Sequence, residues 1–380
     1  MAKHLTDLRP VYVVGIGLHR YQPASETSFV TLGLTAAREA LADAKVPWDA
    51  VESSYVATAR LGMASGRSIL KHLGALGRPL VHIENASASG SAAFRHACIE
   101  VAAGISDVAL ALGVDKVMER ARGENLTGIK GLAHGAIVPF THFALLTNEY
   151  AETHGVSEED VALVAVKNHR NGALNPYAQR QKARTLEEVL SGRKVSGSLT
   201  ALQCTPVGEG AAAVIVASEE GVKRLGLDAG RAVRVAASAA NSEPYGADDD
   251  RDRIITVDAV GRALAEAQMK PADLDVLEVH DAFAIEEMHY AEGTGVCAPG
   301  RFIPMLKDGA WDIGGQCAVS PSGGLIAMGH PIGPTGIGQV AEITRQLRGE
   351  AGPRQHKGAK VGLAHMVGVG AVCYAHILAK

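Results

Sequence analysis

The sequence has few aromatic residues: Trp, Tyr and Phe together make up 4% of the chain, so aromatic clusters do not dominate its core. Its five cysteines, Cys98, Cys204, Cys297, Cys317 and Cys373, are an odd number without a CxxC pair. That excludes a disulfide framework or structural zinc site as the basis of the fold, and no metal is expected. Charge of one sign is also missing, with 37 Lys and Arg against 41 Asp and Glu and a formal charge of −4. The basic surface that a phosphate backbone requires is therefore absent, and nucleic acid is not an expected partner. No apolar run approaches the roughly 18 residues of a membrane-spanning helix, and MAKHLTDLRP lacks the apolar stretch of a secretory signal. These absences read as a reduced, cytoplasmic protein with no membrane partner.

What the sequence has is glycine, alanine and length. With 380 residues, 43 of them Gly, and 47% hydrophobic residues, the chain can bury a large core in which helices lie close against sheets. RPVYVVGIG reads as a strand, followed by TLGLTAAREALADAKV with apolar residues at helical spacing. RAVRVAASAA and DAVGRALAEAQMKPADLDVLEVHDAF repeat that order much later, and ALADA (Ala40 to Ala44) resembles ALAEA (Ala263 to Ala267), each with a Pro close behind, Pro47 and Pro271. The pattern predicts an internal duplication, with one half over residues 1–230 and the other over 231–380. Between the repeated blocks, about residues 116–198 are richer in charge and amides. This stretch is either an inserted helical lid or a solvated helical layer. Strand and helix alternate in both halves, which predicts α/β layers.

Four segments are candidates for chemistry. In ENASASGS a strand-like approach opens into a helix beginning near Ser89, where free N–H groups and the helix dipole favour negative charge; an ordinary serine cap is the plainer alternative. In LEVHDAFAIEEMHY a strand delivers His280 and Asp281 to its carboxyl end, before a helix carrying Glu286, Glu287, His289 and Tyr290. A capping Asp281 beside a satisfied histidine fits that segment equally well. SPSGGLIAMGHPIGPTGIGQV is dense in glycine around His330 and lacks the Lys-Ser/Thr ending of a P-loop, while GIG at Gly15 to Gly17 is too short for a dinucleotide fingerprint. LAHMVGVGAVCYAHIL places His365 above a glycine turn.

In this order, the four segments resemble the thiolase superfamily over almost the whole chain. ENASASGS resembles the nucleophile loop, VHDAF the block that reads Asn-Glu-Ala-Phe in many thiolases, SGGLIAMGHPIGPTG the Gly-His-Pro block, and AHMVGVGA the final glycine turn. The HDAF form, together with TPVGEGAAAVIVASEEG and NPYAQ, is similar to the sterol-carrier-protein-x and archaeal branch. The resemblance implies a thiolase fold: an α/β architecture of two similar halves, five-layered (α-β-α-β-α), with an inserted loop domain that helps to hold coenzyme A. It implies acyl-CoA as substrate, no permanently bound cofactor, a homodimer, and a small OB-fold and zinc-ribbon protein as a possible companion subunit. It places Ser87 at the nucleophile position, His330 as its activator, and His280 as the group completing the oxyanion site. Met366 would offer its backbone N–H at a second oxyanion hole, with Gly368, Ser322 and Gly323 lining the substrate. Lys167, Arg170, Arg180, Lys182 and Arg184 could meet nucleotide phosphates, although solvated surface charge is the simpler reading of most.

The sequence departs from the family where the chemistry is most demanding. Ser87 stands where the family has its nucleophilic cysteine, and a hydroxyl is far harder to ionise than a thiol with a pKa near ~8.5. Ala364 and Ala282 occupy the positions of the second family cysteine. Three readings follow. The first is thiolase-type acyl transfer through residue 87, cleaving a 3-ketoacyl-CoA with CoA or running the reverse condensation. The second is retro-aldol cleavage of a β-hydroxyacyl-CoA, with Tyr290, His280 or Asp281 as base and no acyl acceptor. The third is a non-catalytic subunit that binds acyl-CoA or scaffolds a partner.

Overall fold

The structure, a computed structural model, describes residues 4–117, 138–244, 251–368 and 372–380. Residues 118–137 of the expected insertion and 369–371 of the final glycine turn lie outside the described residues. The first half runs β1 (Val11–Gln22), α1 (Phe29–Ala44), β2 (Ser53–Ala57), α2 (Ser65–Leu70), β3 (Leu80–Ile83), α3 (Ser89–Ala102) and β4 (Val108–Asp115). Next come α4 (Val138–His154), α5 (Glu158–Ala173), α6 (Leu186–Leu190), β5 (Lys194–Ser196), β6 (Leu199–Thr200), β7 (Glu209–Ser218) and α7 (Glu219–Arg224). The second half runs β8 (Val233–Ser242), α8 (Arg251–Ala267), β9 (Val276–Glu278), α9 (Ala284–Thr294), α10 (Phe302–Lys307) and β10 (Ala318–Val319). It ends with α11 (Gly324–Met328), α12 (Thr335–Arg348), β11 (Val361–Gly368) and β12 (Val372–Ala379).

Strand order makes the internal repeat visible. The first five large strands lie in the order β1-β7-β4-β2-β3 and the last five in the order β8-β12-β11-β9-β10, each with two antiparallel pairs followed by two parallel ones. A short antiparallel contact between β1 and β8 joins them into one ten-stranded sheet. The repeat reaches single residues. ALADA ends α1 and ALAEA ends α8, and each helix is closed by a non-glycine residue in the left-handed region, Lys45 at φ 56° and Gln268 at φ 56°. The next N–H in each case reaches back to a leucine carbonyl: Val46 to Leu41 at 3.0 Å and Met269 to Leu264 at 2.9 Å.

Period-2 alternation sorts the strands' side chains into layers. On β4, Leu110, Leu112 and Val114 pack with α1, whereas Ala109 and Ala111 pack in the separate core that contains Phe94 of α3 and Ile337 of α12. On the far side, α8 and α9 cover β8, β9 and β12 through Ile255, Ala259, Met288 and Ile377. Helix α1, one set of strands, the α3 and α12 pair, the other set of strands, and α8 with α9 thus form five layers running through both halves. The central helices approach closely because the residues beneath them are small. A Cβ on Gly113 would come within 2.4 Å of Pro334 Cα and 2.7 Å of Gly333 O.

The described part of the insertion, from residue 138 on, is docked rather than free. Ser157 caps α5, accepting from Asp160 N at 3.2 Å, with Glu158 and Glu159 in the first turn facing the helix dipole. One face of α5 buries Val161, Val164 and Ala165 in the core that also holds α8 and α9. Among the described residues no helix is long and apolar enough to cross a membrane.

Gly113→Ala is expected to lower stability by about 2 kcal/mol, because backbone atoms rather than flexible side chains must give way. Gly261→Ala, on the exposed face of α8 with nothing within 4 Å of the new methyl, is expected to raise it by about 0.5–1 kcal/mol. Urea unfolding of both variants beside the unmodified chain checks the pair.

Candidate active site

The repeat brings two equivalent loops together, since α3 and α12 occupy the same place in their halves and pack against each other. Ser87 lies just before α3 and His330 just before α12. The Ser87 loop is held in a tight turn: Ala86 adopts φ 48°, Ser89 Oγ accepts from Asn85 N at 2.7 Å, and it donates to Ala86 O at 2.6 Å. Ser89, not Ser87, therefore holds the turn together, and Ser87 Oγ is left to meet His330 Nε2 at 3.0 Å. The end of β11 closes on this loop, and Gly368 is needed there, since a Cβ would stand 2.7 Å from Asn85 O. Met366 lies one turn of the pleat earlier, fully buried opposite Tyr374.

The tautomer of His330 follows from its other neighbour. Thr335 Oγ1 donates its one proton to Pro331 O at 2.5 Å, so at 2.8 Å it can only accept from His330 Nδ1. Nε2 therefore carries the lone pair and accepts from the Ser87 hydroxyl. Burial, the nearby His280 and then Arg60 hold His330 well below the usual imidazole pKa, so it stays neutral through the physiological range. The Gly-His-Pro loop is tied to the first half by Asp115 at the end of β4. This fully buried carboxylate accepts from Gly333 N at 2.6 Å, Thr58 Oγ1 at 2.6 Å and Arg60 N at 2.9 Å.

His280 follows β9 and presents its ring edge to His330, with centroids 5.3 Å apart. Its Nδ1 is 3.2 Å from Glu286 Oε1. Tyr290 donates to the same oxygen at 3.2 Å and lies over His365, centroids 4.9 Å apart. Burial, reinforced by the charges of Glu286 and Asp252, raises the Tyr290 phenol well above its ordinary range, so its hydroxyl keeps its proton and donates here. His365 is pushed down to about 3 by burial and by His280; its Nε2 donates to Thr256 Oγ1 at 2.9 Å, because that hydroxyl is spent on Asp252 O.

Several residues named from sequence are turned inward. Asp281 accepts from Leu325 N at 2.7 Å and Asn168 Nδ2 at 2.8 Å, holding the start of α11. Burial first, then the Glu287 charge, raise its pKa well above the ordinary carboxyl value. Ser322 gives both its N–H, at 2.9 Å, and its hydroxyl, at 2.8 Å, to Glu278, and Gly323 packs against Gly172 of α5. Glu278 is pushed up to about 8, mainly by burial. Lys167 does not face solvent; it is 2% exposed and paired with Glu287 at 3.0 Å. Arg180 is likewise committed, donating to the carbonyls of Cys204, Ile326 and Ala201. Arg170, Lys182 and Arg184 pair with Asp312 or Glu188 nearer the surface. Ser87, His330 and His280 are thus brought together, Met366 and Gly368 flank them on β11, and Asp281, Ser322 and Gly323 serve the scaffold. Thr335 and Asp115 were not singled out from sequence; the only available signal was an apolar strand, LALGVD, ending in a lone carboxylate.

The family model "Thiolase, N-terminal domain" matches residues 16–186, and "Thiolase C-terminal domain-like" matches residues 237–380. The chain is 36% identical over 374 residues to benzoylsuccinyl-CoA thiolase subunit BbsB of Thauera aromatica, covering 95% of each. It is 34% identical over 393 residues to sterol carrier protein 2 of Oryctolagus cuniculus, covering 97% of this chain and 72% of that one. Among solved structures, the Ltp2-ChsH2(DUF35) aldolase aligns with a TM-score of 0.83 at 22% identity over 98% of both chains. Human mitochondrial 3-ketoacyl-CoA thiolase in complex with CoA aligns at 0.73 and 21% identity over the full length of both. At these identities the structural matches show a common fold.

A Ser87→Cys variant is expected to become the fastest-alkylated thiol of the chain, since burial raises the five native thiols, with Cys204, Cys297 and Cys317 at about 12. Adding His330→Ala should slow that alkylation by about tenfold or more. The His330 contribution should persist from pH 8 down through 6.5, because a histidine with a lowered pKa keeps its lone pair over that interval. Iodoacetamide labelling followed by peptide mass spectrometry reads both effects.

Proposed function

Because the chain belongs to the thiolase family, we propose that it is an acyl-CoA C-acyltransferase that cleaves a 3-ketoacyl-CoA with CoA, or joins two acyl-CoA molecules in reverse. The contact of Ser87 Oγ with His330 Nε2, at the meeting point of the two repeated loops, carries this reading. In the cleavage direction Ser87 gives its proton to Nε2 and attacks the keto carbon. The bond between Cα and Cβ breaks, the acyl group stays on Oγ as an ester, and the acetyl-CoA enolate takes a proton at carbon. The CoA thiol then releases the acyl group from Ser87 as a thioester. Coenzyme A and acyl-CoA are substrates in this scheme, and no resident cofactor takes part.

Ser87 is the weak member. In a serine hydrolase a carboxylate behind the histidine stabilises the imidazolium formed when serine loses its proton; here Thr335, a neutral hydroxyl, stands in that place. That observation favours a second reading, retro-aldol cleavage of a β-hydroxyacyl-CoA, in which a base removes the hydroxyl proton, Cα–Cβ breaks to give a carbonyl, and the CoA enolate is protonated. No acyl acceptor is needed. Both readings take residues 1–230 and 231–380 as the two thiolase halves, and a homodimer as the working unit. A companion subunit is part of the proposal too: one neighbour is titled as a complex with ChsH2(DUF35), and BbsB is named as a subunit.

The test is a paired assay of the unmodified chain and Ser87→Cys, with a candidate companion present, following thiolysis of 3-ketoacyl-CoA and cleavage of β-hydroxyacyl-CoA separately. Acyl transfer through residue 87 predicts thiolysis at least about 10²-fold faster in the cysteine variant. Cleavage of the hydroxyacyl ester by the unmodified chain, with no gain from cysteine, replaces that reading with aldol cleavage. Tight acyl-CoA binding with neither activity leaves a non-catalytic subunit.

A further inference from the structure

Glu286 is one of two consecutive glutamates on α9, and its carboxylate is the one that faces a site histidine. It is 1% exposed and held by α9 itself: Oε2 accepts from Phe283 N at 2.9 Å, closing the first turn, and Oε1 accepts from the Tyr290 hydroxyl at 3.2 Å. That same Oε1 lies 3.2 Å from His280 Nδ1. A side chain fixed at both oxygens cannot swing away from the imidazole. His280 is 8% exposed, and neither ring nitrogen makes an aligned hydrogen bond within the chain. The other groups facing it are His330 from the loop before α12, His365 from β11 and Tyr290 from α9, with Asp252 of α8 behind the tyrosine. The adjacent Asp281 is committed to Leu325 and Asn168. Glu286 is therefore the carboxylate in direct contact with His280.

Resting on the reading of this site as one that breaks a C–C bond of an acyl-CoA, we propose that Glu286 is the positioning residue of His280. It keeps a proton on Nδ1, turns Nε2 toward the reacting atoms, and balances the imidazolium when Nε2 takes a proton. The two histidines then divide the work. His330, backed by Thr335, is neutral at rest and carries only the Ser87 proton, while the acyl group is on Oγ. His280, backed by a carboxylate, exchanges protons at Nε2 with the substrate: it takes one from the β-hydroxyl or the CoA thiol and gives one to the enolate carbon of the leaving acyl-CoA, so no proton is gained or lost over the cycle.

Glu286→Gln tests this, since glutamine keeps the shape, an acceptor oxygen and the cap of α9 while removing the charge. In the full chain without substrate, imidazole 15N NMR, with His280 assigned by its loss in His280→Ala, should show the Nδ1-protonated tautomer in the unmodified chain and the loss of that preference in Glu286→Gln. In whichever cleavage assay is active, kcat should fall about 10²-fold with KM changed less than about threefold, and Glu286→Gln should cost nothing further in a His280→Ala background. An unchanged His280 tautomer, or losses that multiply in the double variant, overturns the proposal. The NMR measurement needs no substrate, so it stands even if neither cleavage activity is found.

Discussion

A single buried carboxylate determines whether this molecule has a site at all. Asp115 closes β4 in the first half and accepts the N–H of Gly333, in the loop that carries His330 from the second half. It also binds Thr58 Oγ1 and the N–H groups of Ala59 and Arg60 at the end of β2. No cation is needed to hold it there, because main-chain and hydroxyl donors fill its oxygens, although burial still raises its pKa. Through this residue the strand ends of one half fix the position of the other half's loop, and Ser87 and His330 meet as a consequence. A buried carboxylate stripped of its partners is costly, so the tie has few intermediate states: the loop is either docked on Asp115 or the interior is left with unsatisfied polar groups.

Around that tie the polar groups sort into two kinds of work. The buried set formed by Lys167, Asn168, Glu287 and Asp281 binds α5 to α9 and to the start of α11, with Lys167 Nζ also donating to Val319 O at 2.7 Å. It is scaffolding assembled from residues that, read as letters, look like chemistry. The set formed by Ser87, His330, His280, Glu286 and Tyr290 leaves lone pairs and ring nitrogens unspent. The distinction between the two sets is one of satisfaction: Lys167, Asn168 and Asp281 are engaged inside the chain, whereas neither ring nitrogen of His280 makes a hydrogen bond.

Much of this architecture was legible in the sequence because the repeat is written in it. ALADA and ALAEA mark equivalent helix ends, the following Pro residues mark equivalent turns, and period-2 apolar runs mark the strands they precede. Ser87, His280 and His330 could be named because glycine-rich or strand-end motifs surround them. What could not be read was orientation. Asp281 and His280 are neighbours in sequence just past the end of β9, yet one side chain is held toward α11 and the other faces His330. Ser322 and Gly323 sit in the most glycine-dense segment of the chain, yet that density serves close packing on Gly172 and Glu278 as much as any approach to substrate. Thr335 and Asp115 act through contacts 5 and 218 residues away in the chain. The first is a helix-start threonine, which is common, and the second depends on a contact between halves that local pattern does not encode.

The two halves share a strand order but not a route to it. In the second half, β11 and β12 are adjacent in the chain and pair as a hairpin; in the first, the corresponding strands β4 and β7 are separated by roughly ninety residues that include the whole insertion. For a flexible connection, loop closure on that scale costs about 3 kcal/mol more than a tight turn. Emergence from the ribosome compounds the delay, since β1, β2, β3 and β4 are all synthesised before the strand that fills the gap between β1 and β4 exists. The first half therefore spends its early life as a sheet with a missing central strand, its apolar edges open to wrong partners. The later half can close quickly, and through Gly333 and α12 it offers the surface on which the slower one completes itself.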